Sequence, residues 1–280
     1  MKRRTLVLNA LGLAGATAPA VPAKRVLANL GSARIEYTDL GFGPAVVMVA
    51  SLGRAAEDFD DIASRVAGQG FRVLCPEPRG VGRSVGTFSD PTLHDFAADV
   101  AAVIEHAGVA PAVVLGHAYG NTVVRTLAAD RSDLVRGVIL VAASGRAPFS
   151  AEISKAIAMS SDLTLPDTER TGYLARGYFA PGNDASVWLH GWYPQTQAVQ
   201  FEAFRKTKLD DYIAAGGKVP ILDIQGDHDI IIPQQYSQDL HHELGDRVTV
   251  VVIANAGHAM LPEQPAAIAS AIMAWMRGLR

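Results

Sequence analysis

The sequence has a single cysteine, Cys75, among its 280 residues. One thiol excludes an internal disulfide and a zinc site built on cysteines. An excess of basic residues is also missing, because 25 Lys and Arg stand against 28 Asp and Glu and no basic run follows the first residues. That balance argues against nucleic acid as the partner. We therefore expect a small molecule as the partner.

Charged residues are sparse, at 19% of the chain, whereas hydrophobic residues make up 49%. This composition excludes general disorder and predicts a well-cored globular protein. No internal repeat or low-complexity linker interrupts the chain, and its length suits one large α/β domain.

The first 23 residues have the features of an export signal. A positive start at residues 1–4 precedes an apolar run over residues 6–20, and small residues at the end fit signal-peptidase cleavage after Ala20 or Ala23. The run is shorter than the roughly 20 apolar residues of a membrane-spanning helix, so we expect no stable membrane insertion. Arg3-Arg4 also fits twin-arginine export. The sequence thus predicts export to the bacterial periplasm by the Sec or twin-arginine route; the alternative is an amphipathic helix on a cytosolic protein.

After the leader, short apolar runs alternate with segments whose apolar residues recur at the helical spacing. Near-continuous apolar strands that alternate with helices predict a mostly parallel central sheet with helices on both faces, an α/β fold. The predicted strands cover residues 45–50, 71–75, 112–115, 135–142, 221–225 and 248–253, and the predicted helices cover residues 59–66, 93–106, 121–129 and 265–276.

The alternation stops in the middle of the chain, where aromatic residues are frequent and no convincing strand occurs. We interpret residues 149–216 as an inserted helical cap between two parts of the core, residues 24–148 and 217–280. Tyr178, Trp188 and Trp192 of this cap are candidates to line an apolar or aromatic substrate pocket. The alternative is that they only seal the cap against the core.

One turn carries a recognisable frame. The apolar run Val113-Val114-Leu115 leads into Gly116-His117-Ala118-Tyr119-Gly120, and a helical pattern follows. This strand, Gly-x-x-x-Gly turn and helix resemble the nucleophile elbow of the α/β-hydrolase family, which has a serine in the middle position. Here that position is Ala118. The resemblance extends over about residues 34–280 and implies an α/β-hydrolase fold.

Two later segments resemble the other catalytic elements of that family. The run Gln225-Gly226-Asp227-His228-Asp229 follows a predicted strand at the place of the catalytic acid, where Asp229 matches best and Asp227 is the second choice. A later loop matches the catalytic-histidine loop at His258. The order of elbow, acid and histidine is the family order. His117 lies inside the elbow, and we interpret it as structural.

The resemblance also implies an oxyanion hole, formed by the amide after the elbow residue and by the loop after an early strand. The amide of Tyr119 is the first candidate, and the second comes from the loop Ala50-Ser51-Leu52-Gly53, where relatives often have His-Gly. Leu52 and Ser51 are the two choices there. We expect no metal, because the adjacent side chains at 227–229 diverge, and no cofactor.

Ala118 closes the usual acyl-enzyme route, since a methyl group cannot attack a carbonyl. Four explanations remain: an engineered Ser→Ala change, a natural enzyme with His258 as general base, a surrogate nucleophile at Ser51, and a binding protein without turnover. The retained Asp229 and His258 favour an enzyme, because a binding protein does not need an oriented imidazole. We favour hydrolysis of a small ester, lactone or related carbonyl compound; the alternative reaction class is a decarboxylase, lyase or cofactor-independent oxygenase.

Overall fold

The computed structural model describes residues 6–8, 23–31, 33–143 and 150–279. Over these ranges the chain forms one sheet with helices packed around it. Its strands are β1 (Leu6–Leu8), β2 (Lys24–Leu30), β3 (Ala33–Gly41), β4 (Ala45–Val49), β5 (Arg72–Pro76), β6 (Ala112–His117), β7 (Val135–Val141), β8 (Ile221–Gly226) and β9 (Val248–Ile253). Its α-helices are α1 (Asp60–Ala67), α2 (Leu93–Ala107), α3 (Tyr119–Asp130), α4 (Ala151–Ser160), α5 (Asp167–Gly177), α6 (Pro194–Lys206), α7 (Leu209–Tyr212), α8 (Asp239–Leu244) and α9 (Pro265–Gly278).

The sheet order in the described chain is β1-β9-β8-β7-β6-β4-β5-β3-β2. Every pairing is parallel except those of β3 with β2 and with β5. The six strands and four helices expected from the sequence are all present, and the predicted α/β-hydrolase architecture is confirmed. The central strands β6 and β8 are buried at every residue, as their apolar sequences require for a sheet covered on both faces.

The antiparallel pair β2 and β3 is an addition to the sequence prediction. Polar residues interrupt both strands, so the pair lacks the continuous apolar run that marks the central strands. Its buried acidic residue, Glu36, lies in β3 and is paired with Arg83, whose Nε lies 2.9 Å from Oε1. Ser84 joins β3 to the residue that follows β5, because its hydroxyl accepts the amide of Glu36 and donates to the carbonyl of Glu77.

Two apolar layers enclose the sheet because successive strand residues point to opposite faces. In β4, Val47 packs in the layer with α2 and α3, whereas Val46 and Met48 pack in the layer with α1 and α9. The neighbouring strand repeats this division with Val114 and Leu115. The sheet is therefore held from both sides, and the turns at the carboxyl ends of its strands have a rigid support.

Helices α4 to α7 lie between β7 and β8 in the chain. A third apolar cluster joins Leu174, Tyr178, Phe179, Trp188 and Trp192 of this segment to three core residues, Ile231, Ile232 and Ala259. Most of the segment predicted to be an export signal lies outside the described residues; within it, the structure describes the backbone of β1, which pairs with β9 at the edge of the sheet. In the described part of the chain, no helix has the length and apolarity needed to cross a membrane.

Candidate active site

The turn between β6 and α3 is strained at Ala118. This residue has φ 46° and ψ −112°, a conformation that residues with a side chain rarely adopt, and its amide donates to the carbonyl of Val141 at 2.9 Å. The flanking glycines make the turn sterically feasible. A Cβ on Gly116 would lie 2.2 Å from the carbonyl oxygen of Gly120, and one on Gly120 would lie 2.3 Å from the carbonyl oxygen of Val49. The turn thus holds residue 118 at the carboxyl end of the central strand.

Asp229 and His258 form a buried pair. The Nδ1 atom of His258 lies 2.9 Å from Oδ2 of Asp229, and the carboxylate can only accept, so Nδ1 carries the proton. The other carboxylate oxygen accepts the backbone amides of Ile231 and Ile232, both at 2.8 Å. These bonds fix the carboxylate and leave Nε2 of His258 as the basic nitrogen.

The loop that carries His258 is held by hydrogen bonds to Glu263 and to the cap. The amide of Gly257 donates to Glu263 at 2.7 Å, and the amide of Ala259 donates to the carbonyl of Tyr178 at 2.8 Å. Glu263 also accepts the amide of Ala180 in the cap at 2.7 Å. The cap and the histidine loop are therefore joined both by the Glu263 carboxylate and by the carbonyl of Tyr178.

His117 supports the same loop from below. Its Nε2 lies 2.9 Å from the carbonyl oxygen of His258, so Nε2 is protonated and donates. Complete burial lowers the pKa of His117 to about 3, with the nearby His258 adding to the effect. The ring is accordingly neutral at ordinary pH, and this geometry agrees with a structural part in the loop.

Asp227 bonds to groups other than the His258 side chain. Its Oδ1 lies 2.6 Å from Nδ1 of His228 and 3.2 Å from the amide of Ala256. Burial is the largest single influence on the pKa of Asp227 and raises it. The hydrogen bonds together outweigh burial, so the pKa is lowered. Of the two acids considered from the sequence, Asp229 is the one that contacts His258.

The backbone amides of Leu52 and Tyr119 have no hydrogen-bond partner among the described residues. Tyr119 is the first residue of α3, so its amide has no partner within the helix. The amide of Gly53, in contrast, donates to Oε1 of Gln200 at 2.7 Å. In this loop the amides of both Ser51 and Leu52 thus remain without a partner among the described residues.

A cavity of about 480 Å³ lies between the core and the cap. Leu52, Ala118, Tyr119 and His258 line it together, and the Ser51 residue, 8% exposed, lines it beside them. Among the described residues that line the cavity there is no Asp, Glu, Lys or Arg, and His258 is the one histidine. The remaining described lining consists of Asn121, Thr122, Ala142, Ser154, Ile157, Ala158, Tyr178, Trp192, Pro194, Gln197, Ala198, Phe201, Phe204, Ile231 and Ile232.

The three aromatic residues predicted for the pocket have different positions. Tyr178 and Trp192 line the cavity, whereas Trp188 does not. Trp188 is 3% exposed and lies with its ring 5.8 Å from that of His117, behind the histidine loop. Trp188 therefore packs near His117, whereas Tyr178 and Trp192 form part of the cavity wall.

Sequence reasoning missed a pair of polar residues behind the Ala118 turn. The side-chain amide of Asn121 donates to the carbonyl of Ala118, and its oxygen accepts from the buried guanidinium of Arg125. Burial lowers the pKa of Arg125 to about 10, which keeps it charged near neutral pH. The spacing of these residues, one turn apart on α3, was the available signal, but an Asn and an Arg on a helix are usually exposed.

The sheet order, the turn at Ala118 and the Asp229–His258 pair at the strand ends define an α/β hydrolase. The model of the alpha/beta hydrolase family matches residues 15–271, and the chain belongs to this family. A non-heme haloperoxidase of Rhodococcus erythropolis is 27% identical over 253 residues, which cover 81% of this chain and 89% of that protein.

Solved structures show the same fold. An esterase of Thermogutta terrifontis superposes with a TM-score of 0.73 at 22% identity, covering 92% of this chain and 99% of that one. A protein described as a putative non-heme bromoperoxidase, BpoC of Mycobacterium tuberculosis H37Rv, gives 0.72 at 24% identity, covering 88% and 96%. The chain is thus an α/β-hydrolase family member related to esterases and haloperoxidases.

Proposed function

We propose that the protein hydrolyses small, uncharged esters or lactones, with His258 as general base and without a serine nucleophile. The observation that carries this proposal is the His258–Asp229 pair: its carboxylate is fixed by two backbone amides, and its imidazole lines the same cavity as Ala118. A protein that only bound ligand would not need this arrangement. The substrate class follows from the cavity, whose described lining offers no partner for a charged group.

In the proposed reaction, Nε2 of His258 accepts a proton from a water molecule while the water oxygen attacks the substrate carbonyl. The carbonyl π-electrons move to oxygen, and the amides of Leu52 and Tyr119 bind the resulting oxyanion. The imidazolium then gives its proton to the departing alkoxide as the carbon–oxygen bond breaks. Asp229 stabilises the imidazolium throughout and keeps the protonated nitrogen directed away from the water.

The expected rate is lower than that of a serine hydrolase. General base catalysis contributes roughly 10²–10⁴-fold, and loss of one oxyanion donor typically costs about 10²–10³-fold in kcat. Water attack lacks the gain of a tethered nucleophile, so we expect slow turnover that favours activated esters and strained lactones.

The test is hydrolysis of a panel of short acyl esters and lactones by four chains: the unaltered protein, His258→Ala, Ser51→Ala and the control His228→Ala. His228 is exposed and also pairs with an aspartate, so its removal tests loss of a histidine outside the cavity. The proposal predicts at least about 100-fold loss for His258→Ala and little change for the other two.

Two results would contradict the proposal. Loss of turnover with Ser51→Ala, together with labelling of the unaltered chain by a serine-directed phosphonate, would identify Ser51 as a surrogate nucleophile. Silence of the unaltered chain on the whole panel would favour a non-hydrolytic reaction or ligand binding.

A further inference from the structure

The loop that offers the Leu52 amide is bound at its next residue to the cap. The amide of Gly53 donates to Oε1 of Gln200 at 2.7 Å, and the carbonyl of Gly53 accepts the amide of Tyr193 at 2.9 Å. Gln200 lies on α6 and is 3% exposed. Both polar groups of the Gly53 residue are therefore committed to the cap, although 147 positions separate it from Gln200 along the chain.

The cap also approaches the loop backbone closely at Gly53. It has φ +65°, and a Cβ there would lie 2.8 Å from Cβ of Gln197 on the same helix. A side chain at this position would be strained by the conformation and would push α6 away. The absence of a side chain thus permits the hydrogen bond between the Gly53 amide and Gln200.

Arg54, the residue after Gly53, also binds the cap. Its guanidinium donates to the carbonyl of His190 at 2.6 Å and lies over the rings of Trp188 and Trp192, 4.7 and 4.9 Å from their centroids. Asp58 pairs with it from the core side. The residue is only 3% exposed, so these contacts are shielded from solvent.

Leu52 precedes Gly53 and Arg54, the two residues that bond to the cap. The amide of Arg54 donates to the carbonyl of Ser51 at 3.1 Å, which closes a tight turn around Leu52 and Gly53. We propose that Gln200 is a positioning residue for the oxyanion hole: by accepting the Gly53 amide it sets the turn that leaves the Leu52 amide free for the substrate oxyanion. This inference rests on the proposed function only for its consequence in turnover.

The choice of glutamine has a physical reason. Oε1 accepts the Gly53 amide in a place that excludes solvent, and an apolar side chain there would leave the amide buried without a partner, at a cost in free energy. The turn would relieve that cost by rotating, which would misdirect the neighbouring Leu52 amide. Oxyanion donors act through fixed direction, so the loss should appear in the chemical step and not in substrate binding.

The first experiment needs no variant and no turnover. Amide hydrogen exchange of the unaltered chain, followed by NMR, should show the Gly53 amide protected and the Leu52 amide exchanging at least about 10-fold faster. Equal protection of the two amides would overturn the inference. Since no substrate is required, this result is independent of the proposed function.

The second experiment compares Gln200→Met with Thr196→Val. Thr196 lies one turn earlier on α6, is equally buried and donates to the carbonyl of Arg79 at 3.2 Å, so it ties the same helix to a different loop. Both changes are made in an Ala118→Ser background, and the chains are titrated with a fluorophosphonate. We expect Gln200→Met to lower the maximal labelling rate about 10-fold with an unchanged half-saturating concentration, and Thr196→Val to alter the rate less than about twofold.

The remaining outcomes separate a positioning residue from a structural one. A Gln200→Glu variant retains an acceptor for the Gly53 amide and should recover most of the labelling rate. Equal effects of Gln200→Met and Thr196→Val, or an effect on the half-saturating concentration alone, would show that Gln200 merely stabilises the cap. Should Gln200→Met fail to fold, the comparison of Gln200→Glu with the unaltered residue and the exchange experiment still decide the inference.

Discussion

Replacement of Asp229 by asparagine should remove the base while the fold stays intact. One oxygen of Asp229 accepts the amides of Ile231 and Ile232, both at 2.8 Å, and an NH₂ group cannot occupy that place opposite two N–H donors. The amide nitrogen of the asparagine must then face Nδ1 of His258. It donates to Nδ1, which moves the ring proton to Nε2 and removes the lone pair that accepts the proton of water.

The size of both effects follows from these bonds. Loss of the correct tautomer in a histidine–carboxylate pair lowers kcat by about 10⁴-fold. The two backbone bonds persist but lose their ionic character, so the free energy of unfolding should fall by about 1 kcal/mol. For a chain of 280 residues, that corresponds to a decrease in Tm of about 2 °C.

The assay combines ester hydrolysis with ¹⁵N NMR of the histidine ring, and Asp227→Asn is the matched control because Asp227 does not contact His258. We expect Asp229→Asn to lose turnover and to show the proton on Nε2, and the control to change neither. A chain with Asp229→Asn that keeps a tenth of its activity, or that retains the proton on Nδ1, would refute the reasoning.

Three further predictions concern stability and processing. Gly120→Ala should lower the free energy of unfolding by about 3 kcal/mol, because its Cβ would lie 2.3 Å from a strand carbonyl, whereas Gly278→Ala meets no atom within 4 Å and should be neutral in urea unfolding. Burial raises the pKa of Asp223 from 3.8 to about 7, so between pH 3.8 and pH 7 the folded state binds a proton that the unfolded state has lost. The free energy of unfolding should therefore fall as the pH rises through this range. Asp223→Asn should reduce the difference between the urea midpoints at about pH 5 and about pH 8. We further propose export, which predicts a mature amino terminus after Ala20 or Ala23 by Edman sequencing of the periplasmic protein; intact Met1 in the cytosol would oppose it.

The sequence predicted the central sheet because its strands are apolar at nearly every position, a pattern that only a sheet covered on both faces explains. The β2 and β3 strands lacked that signal, since β3 carries Glu36 and relies on Arg83 and Ser84 from a distant loop to bury it. These two strands therefore depend on tertiary contacts and could not be predicted from the local sequence pattern.

Some residues of the candidate site could be predicted from the sequence, and others could not. Residues at strand ends, such as Asp229 and His258, could be predicted because parallel strands bring their carboxyl ends to one edge. Gln200 and Glu263 could not, because each bonds to a backbone amide in a distant loop or in the cap, and a backbone amide has no sequence signature. Trp188 shows the same limit, since composition identified an aromatic cluster but not which ring faces the cavity.

The central claim is that water, activated by His258, attacks the substrate without an acyl-enzyme. Stopped-flow release of the alcohol from an activated ester, with intact-protein mass measured on the millisecond quench, tests it most directly. We expect linear release from time zero by the unaltered chain, no added acyl mass, and a burst with added mass only after Ala118→Ser. A stoichiometric burst with an acyl group on the unaltered chain, or release no faster than that of His258→Ala, would contradict it.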